Sequence, residues 1–555
     1  MIERLVVFGA TGDLTARYLL DGIAALRAAG HLPTGFQLTG SGREDWDTEH
    51  FRTWVRAQLS RHAAKRPEQV RQAVAAALVY RPADVTDPAS VAAAVAGDGP
   101  VAVYLALPPA VFPAAVSALR DAGLPEGSRI VLEKPFGEDL ASAVALNRLL
   151  AQVLPEQAVF RVDHFLAMTT VQNVLGSRLA NRIFEPIWNS AHIAEVDIVW
   201  EETLALEGRA GYYDGVGALR DMLQNHLLQV FCLVAMEPPV SYGERDLRDR
   251  KVDVLRSVRP LTEDSLARRS RRARYLAGSI AGRTVPAYVD EPGVDPERQT
   301  ETFAELQLEL DNWRWAGTTF RLRAAKAMGR NRKEVAVHFR EVPHLPAAIG
   351  GNAGSSPRQF NAAPNVLRFG LEPESMRLEL TGVSERPDAL SPLTLGTKLP
   401  APSLPAYGQL LLNVLNHDAA LSIRGDEAEE SWRVVAPVLD GWSKNLVPME
   451  TYPAGSQGPE LRSPCDLAKG AQKTMSGLTT SSSFLSETSN ARSISSKRKV
   501  WVVMWLGSTR PPASTCRSRS MRSRPPGHSP VAIVLSAIPT PHSARGMRTN
   551  SPSPK

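Results

Sequence analysis

Residues 4–14, RLVVF followed by GATGDL, constrain the fold more than any other stretch of this chain. A five-residue apolar run that ends at a glycine reads as a short buried strand. A helical pattern follows from about residue 14 to 29, and Gly30 and Pro33 supply its stop signals. Strand, glycine turn and helix in that order open a parallel α/β unit. Residues 36–40 (FQLTG), 101–107 (VAVYLAL) and 129–132 (RIVL) read as further strands, with Ala-rich helical segments between them. Strands that alternate with helices predict a doubly wound parallel sheet.

Beyond about Gln172 the texture changes. Residues 191–204, 302–310, 320–322, 335–339, 366–369 and 376–380 alternate apolar and polar, the pattern of a half-exposed antiparallel sheet. A helix over 219–236 interrupts it. The second unit is therefore expected to be α+β, with a large, mostly antiparallel sheet. The expected divisions are 1–170, 171–459 and a tail over 460–555.

The tail changes the meaning of the net charge of +6. Its 96 residues hold 15 of the 64 Lys and Arg but 3 of the 58 Asp and Glu, so the preceding 459 residues carry 49 basic against 55 acidic groups. The high pI belongs to the tail and is no argument for a nucleic-acid partner. With 20 serines and scattered Arg and Pro, the tail is expected to be disordered or to derive from a shifted reading frame. Three cysteines (Cys232, Cys465, Cys516) exclude a disulfide scaffold and suit a reducing compartment. No apolar run approaches the ~20 residues of a membrane helix. The start at Met1 enters a strand directly, without a signal peptide, so the expectation is a cytoplasmic protein with no membrane partner.

The turn Gly9, Ala10, Thr11, Gly12, Asp13, Leu14 joins the first strand to the first helix. Helix N-termini bind phosphates through outward N–H groups and the helix dipole. Gly9 would permit the tight turn and Gly12 the close approach of a pyrophosphate. The full G-x-G-x-x-G spacing is absent, so these six residues alone also fit an ordinary strand–helix turn. After the second strand, an NAD site carries an acidic residue for the ribose hydroxyl. Here Gly40-Ser41-Gly42-Arg43 follows, and Ser41 and Arg43 suit a 2′-phosphate instead, which predicts NADP. Lys134, in Glu133-Lys134-Pro135-Phe136-Gly137, follows a buried strand at its ligand-binding carboxyl end.

Two segments carry candidate chemistry: RVDHFL at 161–166 and LRDMLQNH at 219–226. A histidine oriented by a carboxylate is the usual general base. Asp221 and His226 lie five apart, about 140° around a regular helix at ~100° per residue. They would flank a cleft from neighbouring faces. Each histidine taken singly also fits a structural role.

Together with LALPP at 105–109, EKPFG at 133–137, FEPIWN at 184–189, EGRAGYYD at 207–214, LVAMEPP at 233–239, KVDVLRS at 251–257, TETFAELQLELDNWRWAG at 300–317 and YPAGSQGP at 452–459, these segments resemble the glucose-6-phosphate dehydrogenase family over about residues 4–459. The resemblance implies an α/β Rossmann dinucleotide-binding domain followed by an α+β domain with a large, mostly antiparallel sheet. It also implies a homodimer or homotetramer whose dimers form through that sheet. Its implied roles are as follows. His226 is the general base that takes the C1 hydroxyl proton while hydride passes from C1 to the nicotinamide of NADP. Asp163 orients His226. Glu202 and Asp221 bind sugar hydroxyls. Lys134 touches sugar and cofactor, and His164 and Lys326 hold the phosphate. No metal is expected.

This chain departs from the family pattern D-H-Y-L-G-K, reading Asp163-His164-Phe165-Leu166-Ala167-Met168. A tyrosine hydroxyl and a lysine ammonium that bind phosphate in the family are replaced. In the G-D-L-x-K-R pattern of the first helix, Ala16 stands where the family has a basic residue. Arg330 and Arg332 are the expected compensating cations. Without compensation, the same hydride chemistry on another sugar phosphate or a free aldose, or a catalytically weak regulatory paralogue, are the alternatives.

Overall fold

The structure is a computed structural model that describes residues 1–344, 363–383 and 390–460. The expectations for the tail, Glu460 apart, lie outside the described residues, as do Cys465 and Cys516.

Six strands form the first sheet: β1 Arg4–Phe8, β2 Gln37–Ser41, β3 Leu78–Tyr80, β4 Ala102–Leu105, β5 Arg129–Glu133 and β6 Val159–Val162. All pairs are parallel, in the order β3-β2-β1-β4-β5-β6. The order reverses between β1 and β4, the switch point where doubly wound sheets bind ligands. β4 is buried along its whole length, as expected for a strand covered on both faces.

The second sheet is built from β7 Ile193–Glu201, β8 Ser270–Leu276, β11 Phe303–Leu308, β12 Thr319–Ala325, β13 Arg332–Phe339, β14 Val366–Leu371, β15 Glu374–Val383, β16 Leu390–Lys398 and β17 Met449–Pro453. β9 Gly278–Ile280 and β10 Arg283–Val285 form a separate hairpin. The large sheet is mostly antiparallel, with β7–β12 and β8–β17 parallel. β8 escapes the sequence pattern because its SRRARYL reads as charged surface. Arg271 and Arg272 are nonetheless buried: Arg271 pairs with Glu450, and Arg272 donates to the Val447 carbonyl at 3.0 Å.

One apolar cluster runs from Val6, Phe8 and Leu105 through the helix Leu228–Ala235 to Ile198, Leu322 and Val335 of the large sheet. The opposite face of the parallel sheet (Leu5, Val7, Tyr104, Val131) is covered partly by the helix Ala406–Asn416 through Leu410, Leu411 and Val414. Ile2 N donates to Leu415 O at 2.8 Å. A Cβ on Gly22 would lie 3.0 Å from Gly408 N, so these two backbones touch. The helix Gly425–Ser443 docks beside it, with Trp432 Nε1 on Phe136 O at 3.0 Å and Asn147 Nδ2 on Gly425 O at 2.9 Å. Lys251 and Glu427 form a fully buried pair at 2.6 Å. Among the described residues, no helix is long and apolar enough to cross a membrane.

Candidate active site

The turn after β1 sits at the sheet's switch point. Gly9 has φ +79°, and a Cβ there would lie 2.1 Å from Ala106 O, so only glycine fits. Gly9 N and Ala10 N both donate to Ser41 O, at 2.9 and 3.0 Å, tying the turn to the end of β2. Thr11 Oγ1 donates to Glu44 Oε1 at 3.0 Å, and Tyr80 Oη donates to the Glu44 backbone carbonyl at 3.0 Å. Ser41 Oγ is buried with no hydrogen-bond partner among the described residues, and Arg43 beside it is exposed. An unsatisfied hydroxyl and an exposed guanidinium at the end of β2 fit an incoming phosphate. Asp13 is 73% exposed and paired with Arg17, and Leu14 packs on the apolar layer. Gly9, Thr11, Gly12, Ser41 and Arg43 thus gather at the ends of β1 and β2, and Glu44 joins them.

Across the cleft, Asp163 directly follows β6, and its Oδ1 accepts from Phe165 N at 2.9 Å. The same oxygen meets His226 Nδ1 at 2.5 Å. Burial by itself would raise the Asp163 carboxyl, but the facing imidazole outweighs it and the carboxyl is lowered to about 2. Burial, opposed by Asp163, holds the His226 ring below the ordinary histidine range, so it is neutral at pH 7 with Nε2 available as a base. The ring of Phe165 stacks on His226 at 4.0 Å and 11°, which fixes the imidazole plane. His164 stacks on Tyr407 at 5.7 Å, and burial lowers it to about 3. Asp163, His164 and His226 bring one donor atom each within 4.8 Å, the two of the dyad being committed to each other.

The helix that carries His226 is wider than expected. Leu219–Leu227 forms a π-helix, with Leu228 N reaching Leu223 O. An i→i+5 pattern takes five residues into about one turn. Asp221 and His226 therefore come to the same side, where regular α geometry would set them ~140° apart. Lys134 Nζ donates to Asp221 Oδ1 at 2.9 Å and to its carbonyl at 3.0 Å. Burial opposes charge on both groups, yet each holds the other ionised, raising Lys134 and lowering Asp221. Tyr212 Oη also donates to Asp221 Oδ1, at 3.2 Å.

Glu202 follows β7 and accepts from Trp200 Nε1 at 3.0 Å and from Lys326 at 3.3 Å. Lys333 Nζ lies 3.5 Å from Oε1, the oxygen that also accepts from Trp200, while Lys326 is on Oε2. The expected cation Arg332 faces the other way. It meets Glu334 at 3.3 Å and Asp197 at 3.9 Å on the outer face of the sheet, because neighbours on a strand point to opposite faces. Strand alternation from residue 332 would have found Lys333. Two further groups take roles that no local pattern assigns. Glu133 accepts a hydrogen bond from Tyr104, and burial pushes its carboxyl up to about 7. Tyr407 arrives from a distant helix to stack on His164.

The arrangement is a buried His–carboxylate base, a paired lysine and a glycine turn, all at one end of a parallel sheet. The family model "Glucose-6-phosphate dehydrogenase, NAD binding domain" matches residues 6–173. The model "Glucose-6-phosphate dehydrogenase, C-terminal domain" matches 175–470. The chain belongs to the glucose-6-phosphate dehydrogenase family. It is 36% identical to the glucose-6-phosphate 1-dehydrogenase of Zymomonas mobilis over 475 residues, covering 82% of this chain and 96% of that enzyme. It is 38% identical to glucose-6-phosphate 1-dehydrogenase 2 of Mycobacterium tuberculosis over 478 residues, covering 82% and 91%. Among solved structures, the glucose-6-phosphate 1-dehydrogenase of Mycobacterium avium matches with a TM-score of 0.72 at 35% identity, covering 82% and 95%. A glucose-6-phosphate dehydrogenase in complex with glucose 6-phosphate matches with a TM-score of 0.71 at 28% identity, covering 84% and 96%. The family match at the C-terminus runs to residue 470, eleven residues past Pro459.

Proposed function

We propose that this chain oxidises glucose 6-phosphate at C1 to the 6-phospho-lactone with NADP, the entry to the oxidative pentose phosphate route. The observation that carries the reading is the Asp163–His226 contact at 2.5 Å, buried beside the Lys134–Asp221 pair. Removing a hydroxyl proton as hydride departs requires a neutral base whose charged form is stabilised once made. His226 is that base, and the Asp163 carboxylate stabilises the imidazolium. Lys134, Asp221 and Glu202 fix the sugar hydroxyls, and His164 and Lys326 hold its phosphate. When bound, NADP supplies hydride acceptance. Gly9, Thr11, Gly12 and Asp13 would hold its pyrophosphate, with Leu14 supporting the helix start. Ser41 and Arg43 would hold its 2′-phosphate, and Lys134 would touch its nicotinamide end.

The division into 1–170, 171–459 and a separate tail, and a dimer or tetramer assembled through the large sheet, complete the proposal. The exposed face of β16, with Leu393 46% and Leu395 54% accessible, supports such an assembly. Steady-state kinetics with NADP and NAD against glucose 6-phosphate, free glucose and other sugar phosphates tests the activity. A higher kcat/KM for free glucose than for glucose 6-phosphate would overturn it. Light scattering of the purified protein tests the assembly, which a monomer at micromolar concentration would refute.

A further inference from the structure

The basic residues that follow Lys326 are sorted by strand alternation along β13. Arg332 pairs in register with Glu201 and points outward, whereas Lys333 pairs with Trp200 on the inner face. Its ammonium lies 4.4 Å over the Trp200 ring. Glu202 then sits between two ammoniums, Lys326 on one oxygen at 3.3 Å and Lys333 on the other at 3.5 Å.

The tryptophan continues the wall that starts at the base. Phe165 stacks on His226 at 4.0 Å, Trp200 lies 4.4 Å from Phe165, and Lys333 closes the row. The other partner of Lys333 is Glu372, at 2.6 Å on the turn between β14 and β15. That carboxylate is 63% exposed, whereas the lysine is 11% exposed. Solvent screens a pair whose one partner is mostly exposed, so this contact exchanges readily for a ligand of higher charge.

We infer that Lys333 is a second phosphate-binding ammonium beside Lys326 that selects phosphorylated over free sugar, with Glu372 as its exchangeable partner when substrate is absent. The inference rests on the sugar-phosphate reading given above. A phosphate dianion at this end of the cleft meets two ammoniums that already converge on one carboxylate. Arg332 takes no part, because its outer-face carboxylates hold it.

The test compares wild type with Lys333→Met, Lys333→Arg and Glu372→Gln. It measures kcat/KM for glucose 6-phosphate and for free glucose, and the inhibition by inorganic phosphate competitive with glucose 6-phosphate. In Lys333→Met the preference for glucose 6-phosphate over glucose falls roughly 10- to 100-fold, mostly through KM, and phosphate inhibits correspondingly less. Lys333→Arg keeps most of the preference. Glu372→Gln frees the ammonium and lowers KM for glucose 6-phosphate. A preference that survives Lys333→Met within about twofold, or a KM that rises in Glu372→Gln, overturns the role of Lys333 alone. A wild-type enzyme with no preference for the phosphorylated sugar overturns the functional reading beneath it.

Discussion

Asp163 Oδ1 and His226 Nδ1 meet at 2.5 Å although 63 residues separate them in sequence, and both side chains are shut away from solvent. One residue follows the last strand of the parallel sheet and the other sits in the widened helix. The His226→Asn variant keeps a similar volume and removes the base. Its kcat falls by about 10²–10⁴-fold while the dissociation constant for NADP stays within error. Retention of more than a tenth of the wild-type kcat would take His226 out of the mechanism.

Cofactor choice turns on two neighbours of opposite charge at the end of β2. Arg43→Ala weakens NADP at least tenfold and leaves NAD nearly as before, because only NADP carries the 2′-phosphate. Glu44 is held by Thr11 and Tyr80, and it would repel that phosphate. Glu44→Gln therefore raises the NADP-to-NAD ratio of kcat/KM. Equal losses for both cofactors in Arg43→Ala would refute the 2′-phosphate role.

Glu133 gives stability a pH dependence opposite to that of ordinary paired carboxylates. Its folded carboxyl is pushed up to about 7, above its unfolded value, because the half-buried group is poorly solvated. The folded chain therefore keeps a proton that the unfolded chain releases. Stability from this group is full below about pH 4.3 and is lost as pH rises towards 7, at up to about 1.4 kcal/mol per pH unit. Asp163 has the opposite sign, losing its contribution only as pH falls towards 2. Glu133→Gln removes the first slope. Urea unfolding of both proteins from pH 5 to pH 8 checks it, and a constant difference between them across that range would count against the assignment.

A chain that ends at Glu460 keeps the last strand of the large sheet, β17, and the contact of Arg271 with the Glu460 carbonyl at 2.7 Å. Such a chain folds with a melting temperature within a few degrees of full length. A loss above about 8 °C, which for a protein of this size exceeds 2 kcal/mol, would show that residues beyond 460 pack on the fold.

Much of this was legible in the sequence because the relevant signals are local. The apolar runs of β1, β4 and β5 and the glycine turn after β1 follow from hydrophobic pattern and from what only glycine tolerates. Glycine, serine and arginine at the end of β2 were readable for the same reason. The widened helix over Leu219–Leu227 was not, since its i→i+5 bonds leave no periodic trace in nine residues. Lys333 escapes the sequence pattern because the apolar alternation of its strand begins only at Val335, three residues after the strand starts, so nothing local shows that Arg332 turns outward. Tyr407 and Glu133 acquire their roles only when helices and strands far apart in sequence meet, which no local pattern encodes.

The helix Ala406–Asn416 covers a face of a sheet whose last strand ends at Val162, and this sets an order in time. During synthesis the six parallel strands leave the ribosome long before the helix that shields Leu410, Leu411 and Val414 against them. At about 5–20 residues per second the interval is on the order of tens of seconds. Throughout that delay the part of the nucleotide layer that Leu410, Leu411 and Val414 later cover stays open, beside the earlier helices that carry Leu20, Ile23 and Phe51, so the nascent chain passes through a state that is sticky before it is an enzyme. Early and late parts of the message are in this sense coupled: a ribosome that stalls before residue 406 releases a sheet with one side only partly clad.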